Sequence, residues 1–262
     1  MAHCVFVLIG EVVTNTHKTL NLRKKPEDYE PGFYPLGTAF ATRSNSRQYL
    51  LTAFHTIQEN VDCSRWYVTT NVGRCNDGTW DFNSTFEKVS VVDYDTIMDV
   101  ALLKIDSKYH IPIESTVEIC PIAKLPKQSD EASLKTYYVP VEDMTPQLEV
   151  PLCPSPSDWK RVYAISSKYL FLPGGLCKGS SGGLVIDKAG LAVAMHIESI
   201  SSSKSSTDIL KEYRDSSSRG KKNSHDKALS ESSTSLANTH MSSQKCIILS
   251  SQELSQLISK IV

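Results

Sequence analysis

Ser181, His55 and Asp99 are the residues of this chain whose types and surroundings could carry out covalent chemistry. Ser181 stands in Gly179-Ser180-Ser181-Gly182-Gly183. A serine hydroxyl attacks a carbonyl only when a neighbouring base removes its proton. His55, at the end of Leu51-Thr52-Ala53-Phe54-His55, is a candidate for that base. Asp99 opens Asp99-Val100-Ala101-Leu102-Leu103-Lys104, where a carboxylate ahead of a buried strand can accept the imidazole Nδ1 proton and fix the tautomer. The glycines around Ser181 permit a tight turn that exposes the hydroxyl and aims backbone N–H groups at one point. Each segment alone also fits an ordinary structural role. Their order joins them, with 44 residues from His55 to Asp99 and 82 from Asp99 to Ser181.

Bringing three such distant groups together requires elements that end in the right places. Residues 5–9, 37–42, 49–53, 66–70, 89–92 and 100–105 are predicted strands, divided by turn residues such as Asn71, Gly73, Asn76-Asp77-Gly78 and Asn83-Ser84. His55 then follows a strand and Asp99 precedes one. Residues 122–131 read as a linker. A second strand-rich region covers 135–141, 163–165, 184–186 and 191–197, with Asp187-Lys188-Ala189-Gly190 as a hairpin turn. Residues 151–156 hold three prolines and are unsuited to a central strand. Many short strands with few helical periods indicate an all-β fold.

Residues 201–244 contain 15 serines and few apolar positions, so burial cannot offset their ordering entropy and a flexible segment is expected, with a short helix near 207–214. A strand at 246–249 and a helix at 250–261 follow. In the helix Ser250 and Glu253 are spaced for a capping box, and Leu254, Leu257, Ile258 and Ile261 share a face. The 262 residues suffice for a large core, and 28 basic against 29 acidic side chains give no nucleic-acid footprint. Seven scattered cysteines argue against a paired secreted framework, no Cys/His cluster reads as a zinc site, and the apolar run 4–9 is too short to span a membrane. The expectation is an intracellular, cytoplasmic protein bound to neither nucleic acid nor membrane.

Taken together, the histidine, aspartate and serine segments resemble the catalytic blocks of trypsin-like serine proteases over residues 30–200. The resemblance implies two antiparallel six-stranded β-barrels with a C-terminal α-helix. Residues 1–125 would carry His55 and Asp99; residues 132–262 would carry Ser181, the flexible 201–244 insertion and the 250–261 helix. It implies serine endopeptidase activity on a polypeptide substrate, an oxyanion hole from the N–H groups of Gly179 and Ser181, and no metal or organic cofactor. Several positions depart from the pattern, Thr56, Leu176 and Ala194 among them. Phe54 replaces a small residue before the histidine, and Ser180 replaces the acid that pairs with a newly cleaved N-terminus in secreted members, so no zymogen switch of that kind is expected. Gly175 falls at the pocket floor, where no acid would select Arg or Lys. His196 falls on the strand that walls the pocket, as in glutamyl endopeptidases and viral chymotrypsin-like cysteine proteases. A preference for Glu or Gln before the cleaved bond follows, with His196 donating to that side chain. The alternative is an inactive protease-like scaffold that binds protein with its triad misaligned. No regulatory partner is identifiable.

Overall fold

The apolar run near the N-terminus becomes strand β1 (Val5–Val12), and it is buried on both faces. Phe6 and Leu8 point into one core with Leu50, Ala101 and Leu103, while Val7 and Ile9 pack with Val139 and Val141. A strand covered on both sides reads as a continuous apolar run rather than an alternating one. The computed structural model describes residues 2–12, 32–44, 47–58, 63–74, 80–81, 86–106, 111, 116, 133–141, 153–162, 164–165, 169–201 and 244–261.

β1 is followed by β2 (Gly32–Ser44), β3 (Arg47–Ala53), helix α1 (Phe54–Gln58), β4 (Cys63–Thr69), the small pair β5 (Gly73–Arg74) and β6 (Trp80–Asp81), β7 (Glu87–Asp95) and β8 (Val100–Ile105). Six of these strands close an antiparallel barrel in the order β1-β2-β3-β8-β7-β4. Closure leaves the sheet no open edge. The β3–β8 pairing sets Ala53 opposite Val100. His55 and Asp99, just beyond those two ends, are therefore brought to one rim of the barrel.

The second half contains β9 (Ser133–Tyr138), β10 (Ser155–Pro156), β11 (Lys160–Arg161), β12 (Ala164–Ile165), β13 (Tyr169–Pro173), β14 (Leu184–Ile186), β15 (Ala192–Ser201) and β16 (Gln244–Ser250), then helix α2 (Ser251–Ile261). The second closed barrel expected from the resemblance is not found among the described residues. They form a sheet in the order β10-β9-β14-β15-β16-β13-β12, with β11 also on β9. Closure would have to run through β10, β11 and β12, which have two residues each, and Pro156 in β10 has no N–H to donate.

Val100, Leu102 and Leu51 of the barrel share one core with Leu184, Met195, Ile197 and Leu249 of the sheet. Leu254, Leu257 and Ile258 of α2 are buried in it too; the helix begins one residue after Ser250, the N-cap position of the expected box. The side chain of Ile261 lies outside the described residues, as do the 122–131 linker, residues 202–243 and the helix expected at 207–214. The two ends of that serine-rich stretch are paired, Ser201 opposite Gln244, as the last rung between β15 and β16. The hairpin turn at Asp187 forms as expected, its Oδ1 accepting the N–H groups of Ala189 and Leu191. Among the described residues Cys4, Cys153 and Cys177 form no disulfide, and no helix is long and apolar enough to cross a membrane.

Candidate active site

Ser181, His55 and Asp99 meet at the junction of the two halves. The Asp99 carboxylate faces His55 twice: Oδ1 accepts the His55 backbone N–H at 2.7 Å, and Oδ2 lies 2.5 Å from Nδ1. The opposite ring nitrogen, Nε2, is 3.1 Å from Ser181 Oγ. Because a carboxylate only accepts, Nδ1 carries the proton and Nε2 offers its lone pair to the serine hydroxyl. The His55 and Asp99 side chains are 30% and 24% exposed, open enough for a substrate to reach and shielded enough to strengthen the pairing.

Local chemistry fixes each partner. Asp99 is the one described non-glycine residue with positive φ, at 55°, a conformation aspartate tolerates better than most residues. Asp95 Oδ1 holds the turn leading there by accepting the N–H groups of Ile97 and Met98 at 2.8 and 2.9 Å. Tyr169 braces the same turn, its hydroxyl donating to the Ile97 carbonyl at 3.3 Å. Burial, then the nearby carboxylates of Asp99 and Asp95, push the Tyr169 phenol up to about 12, so it remains a donor. Asp93 and Asp106, the other nearby acids, bond instead to the Tyr94 N–H and the Ser90 hydroxyl. Phe54, the unexpected large residue before the histidine, stacks on Tyr94 with ring centroids 4.5 Å apart.

The loop that carries Ser181 is set by its carbonyls. Lys178 C=O accepts from Val141 N–H at 2.8 Å, and Ser180 C=O accepts from Gly183 N–H at 2.9 Å and faces His196 Nδ1 at 3.0 Å. Across a planar trans peptide the following N–H points away from the carbonyl. The N–H groups of Gly179 and Ser181 are thus turned away from these anchors, and among the described residues neither donates to a backbone acceptor. Gly179 and Gly182 have φ of 90° and 84°. A Cβ on Gly182 would strike the Thr38 carbonyl and lie 2.7 Å from Thr52 Oγ1, so only glycine fits there.

His196 is fully buried, and the fold gives it a different hydrogen-bonding role from the donation to substrate expected of it. The Ser180 carbonyl can only accept, so the proton sits on Nδ1; Nε2 is left as an acceptor, 3.3 Å from Ser199 Oγ. A bulge between His196 and Glu198 puts Ser199 on the same side of β15 as His196. Burial lowers the His196 pKa to about 3; the bond to Ser180 opposes this, and the charges of Lys160 and His55 add to it, so the ring is neutral. Gly175 lies across from this group: Leu176 N–H donates to Ser199 Oγ at 2.9 Å, and the Gly175 carbonyl accepts from Lys160 Nζ at 3.0 Å.

Two residues at the site gave no signal in the sequence. Thr38, buried in β2, takes the Val139 N–H at 2.8 Å, gives its hydroxyl proton to the Gly179 carbonyl at 2.6 Å, and donates its own N–H to the Ser181 carbonyl at 3.1 Å. It ties the first barrel to the Ser181 loop, a link that only the tertiary fold creates. Lys160 is the second. His3 is exposed, while His17, His110, His225 and His240 lie outside the described residues. Among the described residues no group of three His, Cys, Asp or Glu side chains could hold a metal ion.

No protein-family model and no curated protein sequence matches the chain. Among solved structures, that of the HtrA-type protease AlgW with a decapeptide is similar at 16% identity, with a TM-score of 0.48. The match covers 84% of this chain and 66%, just under two thirds, of the other.

Proposed function

We propose that this protein is a serine endopeptidase using Ser181, His55 and Asp99. The observation that supports it is the continuous hydrogen-bonded line from Asp99 Oδ2 through the His55 ring to Ser181 Oγ, at 2.5 and 3.1 Å. Ser181 Oγ attacks a peptide carbonyl carbon as its proton passes to His55 Nε2. The carbonyl oxygen becomes an oxyanion facing the N–H groups of Gly179 and Ser181, while Asp99 stabilises the imidazolium. His55 then gives the proton to the amide nitrogen as the C–N bond breaks. Water attacks the acyl-enzyme, its proton goes to His55, and that proton returns to Ser181 Oγ as the ester bond breaks.

The primary pocket in this reading lies between Gly175 and the end of β15 that carries His196 and Ser199, and it takes Glu or Gln. His196 contributes by holding the Ser180 carbonyl, which supports the orientation of the Ser181 N–H. The aligned triad favours this reading over a binding scaffold with a misaligned one. Incubating the protein with a defined peptide pool and identifying products by mass spectrometry tests it. New peptide ends made by the native protein and missing with Ser181→Ala are expected. An identical peptide pool before and after, from folded protein, would overturn the proposal.

A further inference from the structure

Asp99 holds a φ of 55°, a conformation that a non-glycine residue keeps only where its surroundings fix it. In that conformation its carboxylate meets the backbone N–H and Nδ1 of His55 at 2.7 and 2.5 Å. Relaxing φ toward the usual negative range would swing the Cα–Cβ bond and carry the carboxylate off Nδ1. On the far side of Asp99 the chain is secured: its carbonyl accepts the Phe54 N–H at 3.1 Å, and Val100 pairs with Ala53. The turn ahead of Asp99 must therefore supply the remaining constraint. There the Ile97–Met98 peptide is held on both edges. Its N–H donates to Asp95 Oδ1 at 2.9 Å, and its C=O accepts from the Tyr169 hydroxyl at 3.3 Å. The first hold comes from the barrel's own turn, the second from the other half of the chain. Ile97 is 61% exposed, so burial of its side chain does little to fix this peptide. Tyr169 is well placed to do so. It opens β13, pairs with Leu249 of β16, and is buried in the same core as Met98.

We propose that Tyr169 is a positioning residue for the reaction: its hydroxyl, presented by the second half of the chain, orients the Ile97–Met98 peptide and so keeps Asp99 against His55. Thr38 reaches in the opposite direction, from the barrel to the Gly179 carbonyl of the Ser181 loop. Alignment of the three residues then depends on the docking of the two halves from both sides. The inference rests on the peptidase reading above for its effect on Ser181, while the placing of Asp99 needs no turnover.

Two measurements on Tyr169→Phe test it, a variant that keeps the ring in the core and removes only the hydroxyl. The first is proton magnetic resonance of the His55 Nδ1–H, which a short bond to a carboxylate shifts far downfield. Histidine 15N labelling and loss in Asp99→Asn assign it. The resonance is expected in the native protein, and in Tyr169→Phe it should move upfield or broaden by exchange with water. The second is the rate of Ser181 modification by an aryl fluorophosphonate in the native protein, Tyr169→Phe, Asp99→Asn and the double variant. Tyr169→Phe should slow the native rate about 10-fold. On top of Asp99→Asn it should add less than about twofold, because the link it supports is already gone. Unfolding midpoints show that each variant is folded.

An unchanged resonance in folded Tyr169→Phe overturns the inference, as does its absence from the native protein. Equal slowing in both backgrounds overturns it too, since Tyr169 would then only stiffen the fold; so does a lost resonance with an unchanged labelling rate. In those last two cases the peptidase reading survives. A resonance that depends on Tyr169 in a native protein that takes no fluorophosphonate supports the placing of Asp99 and overturns the peptidase reading instead.

Discussion

Replacing Asp99 by Asn isolates the link that sets the direction of proton transfer. Asp99 accepts two N–H groups of His55, the backbone one at 2.7 Å and Nδ1 at 2.5 Å. An asparagine side chain has one oxygen and one NH2, so it cannot accept both. With the oxygen on the backbone N–H, the NH2 faces Nδ1. The imidazole proton must then move to Nε2, where it points at Ser181 Oγ and cannot act as a base. With the amide flipped, a donor faces the backbone N–H, at a cost of about 1–3 kcal/mol for the bond lost. The inactive tautomer therefore dominates, and the competent one also lacks a negative charge opposite the imidazolium. The two effects together predict a loss of about ten-thousand-fold, or about 5 kcal/mol of barrier. The assay is the second-order rate of Ser181 modification by an aryl fluorophosphonate, followed by intact mass, with the unfolding midpoint showing that the variant is folded. Asp99→Asn reacting within tenfold of the native rate would refute the reasoning.

Three other outcomes follow from the same geometry. Gly182→Ala must place a Cβ on the Thr38 carbonyl at positive φ, so a loss of about 2–5 kcal/mol in urea unfolding is expected; a midpoint near the native one would contradict the packing. Thr38→Val leaves the Val139 N–H and the Gly179 carbonyl without their partner, which should cost about 1–3 kcal/mol and slow Ser181 labelling together; loss of stability with unchanged labelling would show that the clamp does not reach the site. His196 has a folded pKa of about 3, below its unfolded value, so the unfolded chain binds more protons below pH 6.5. Stability is therefore full above about pH 6.5 and falls by about 1.4 kcal/mol per unit as the pH drops toward 3, or about 3 kcal/mol by pH 4. His196→Gln should flatten the urea midpoint over that window relative to the native protein, and parallel curves would show that the ring is not held neutral.

The sequence was most informative where function and backbone coincide. β8 and β14 run over the residues expected, because each is a short apolar run bounded by turn chemistry. The three motif residues meet because β3 and β8 pair in a register that brings their ends together. β13 was hidden: its Tyr169–Pro173 run leads into Gly174-Gly175 and pairs with β16, more than 70 residues later in the chain. The role of His196 depends on a one-residue bulge and on a carbonyl 16 residues away, which no local pattern encodes. Thr38 and Lys160 were silent for the same reason: an isolated buried hydroxyl and a lysine in a two-residue strand acquire meaning only from what the fold sets against them. The expected closure of a second barrel came from the resemblance, and among the described residues the two-residue strands, one with a proline, do not supply a ladder for it.

The central claim is that Ser181 is an activated nucleophile, and intact-mass analysis after aryl fluorophosphonate treatment tests it most directly. One covalent adduct per chain, mapped to Ser181 and lost in Ser181→Ala, is the predicted result. No adduct on protein shown to be folded, or an adduct that persists in Ser181→Ala, would contradict it.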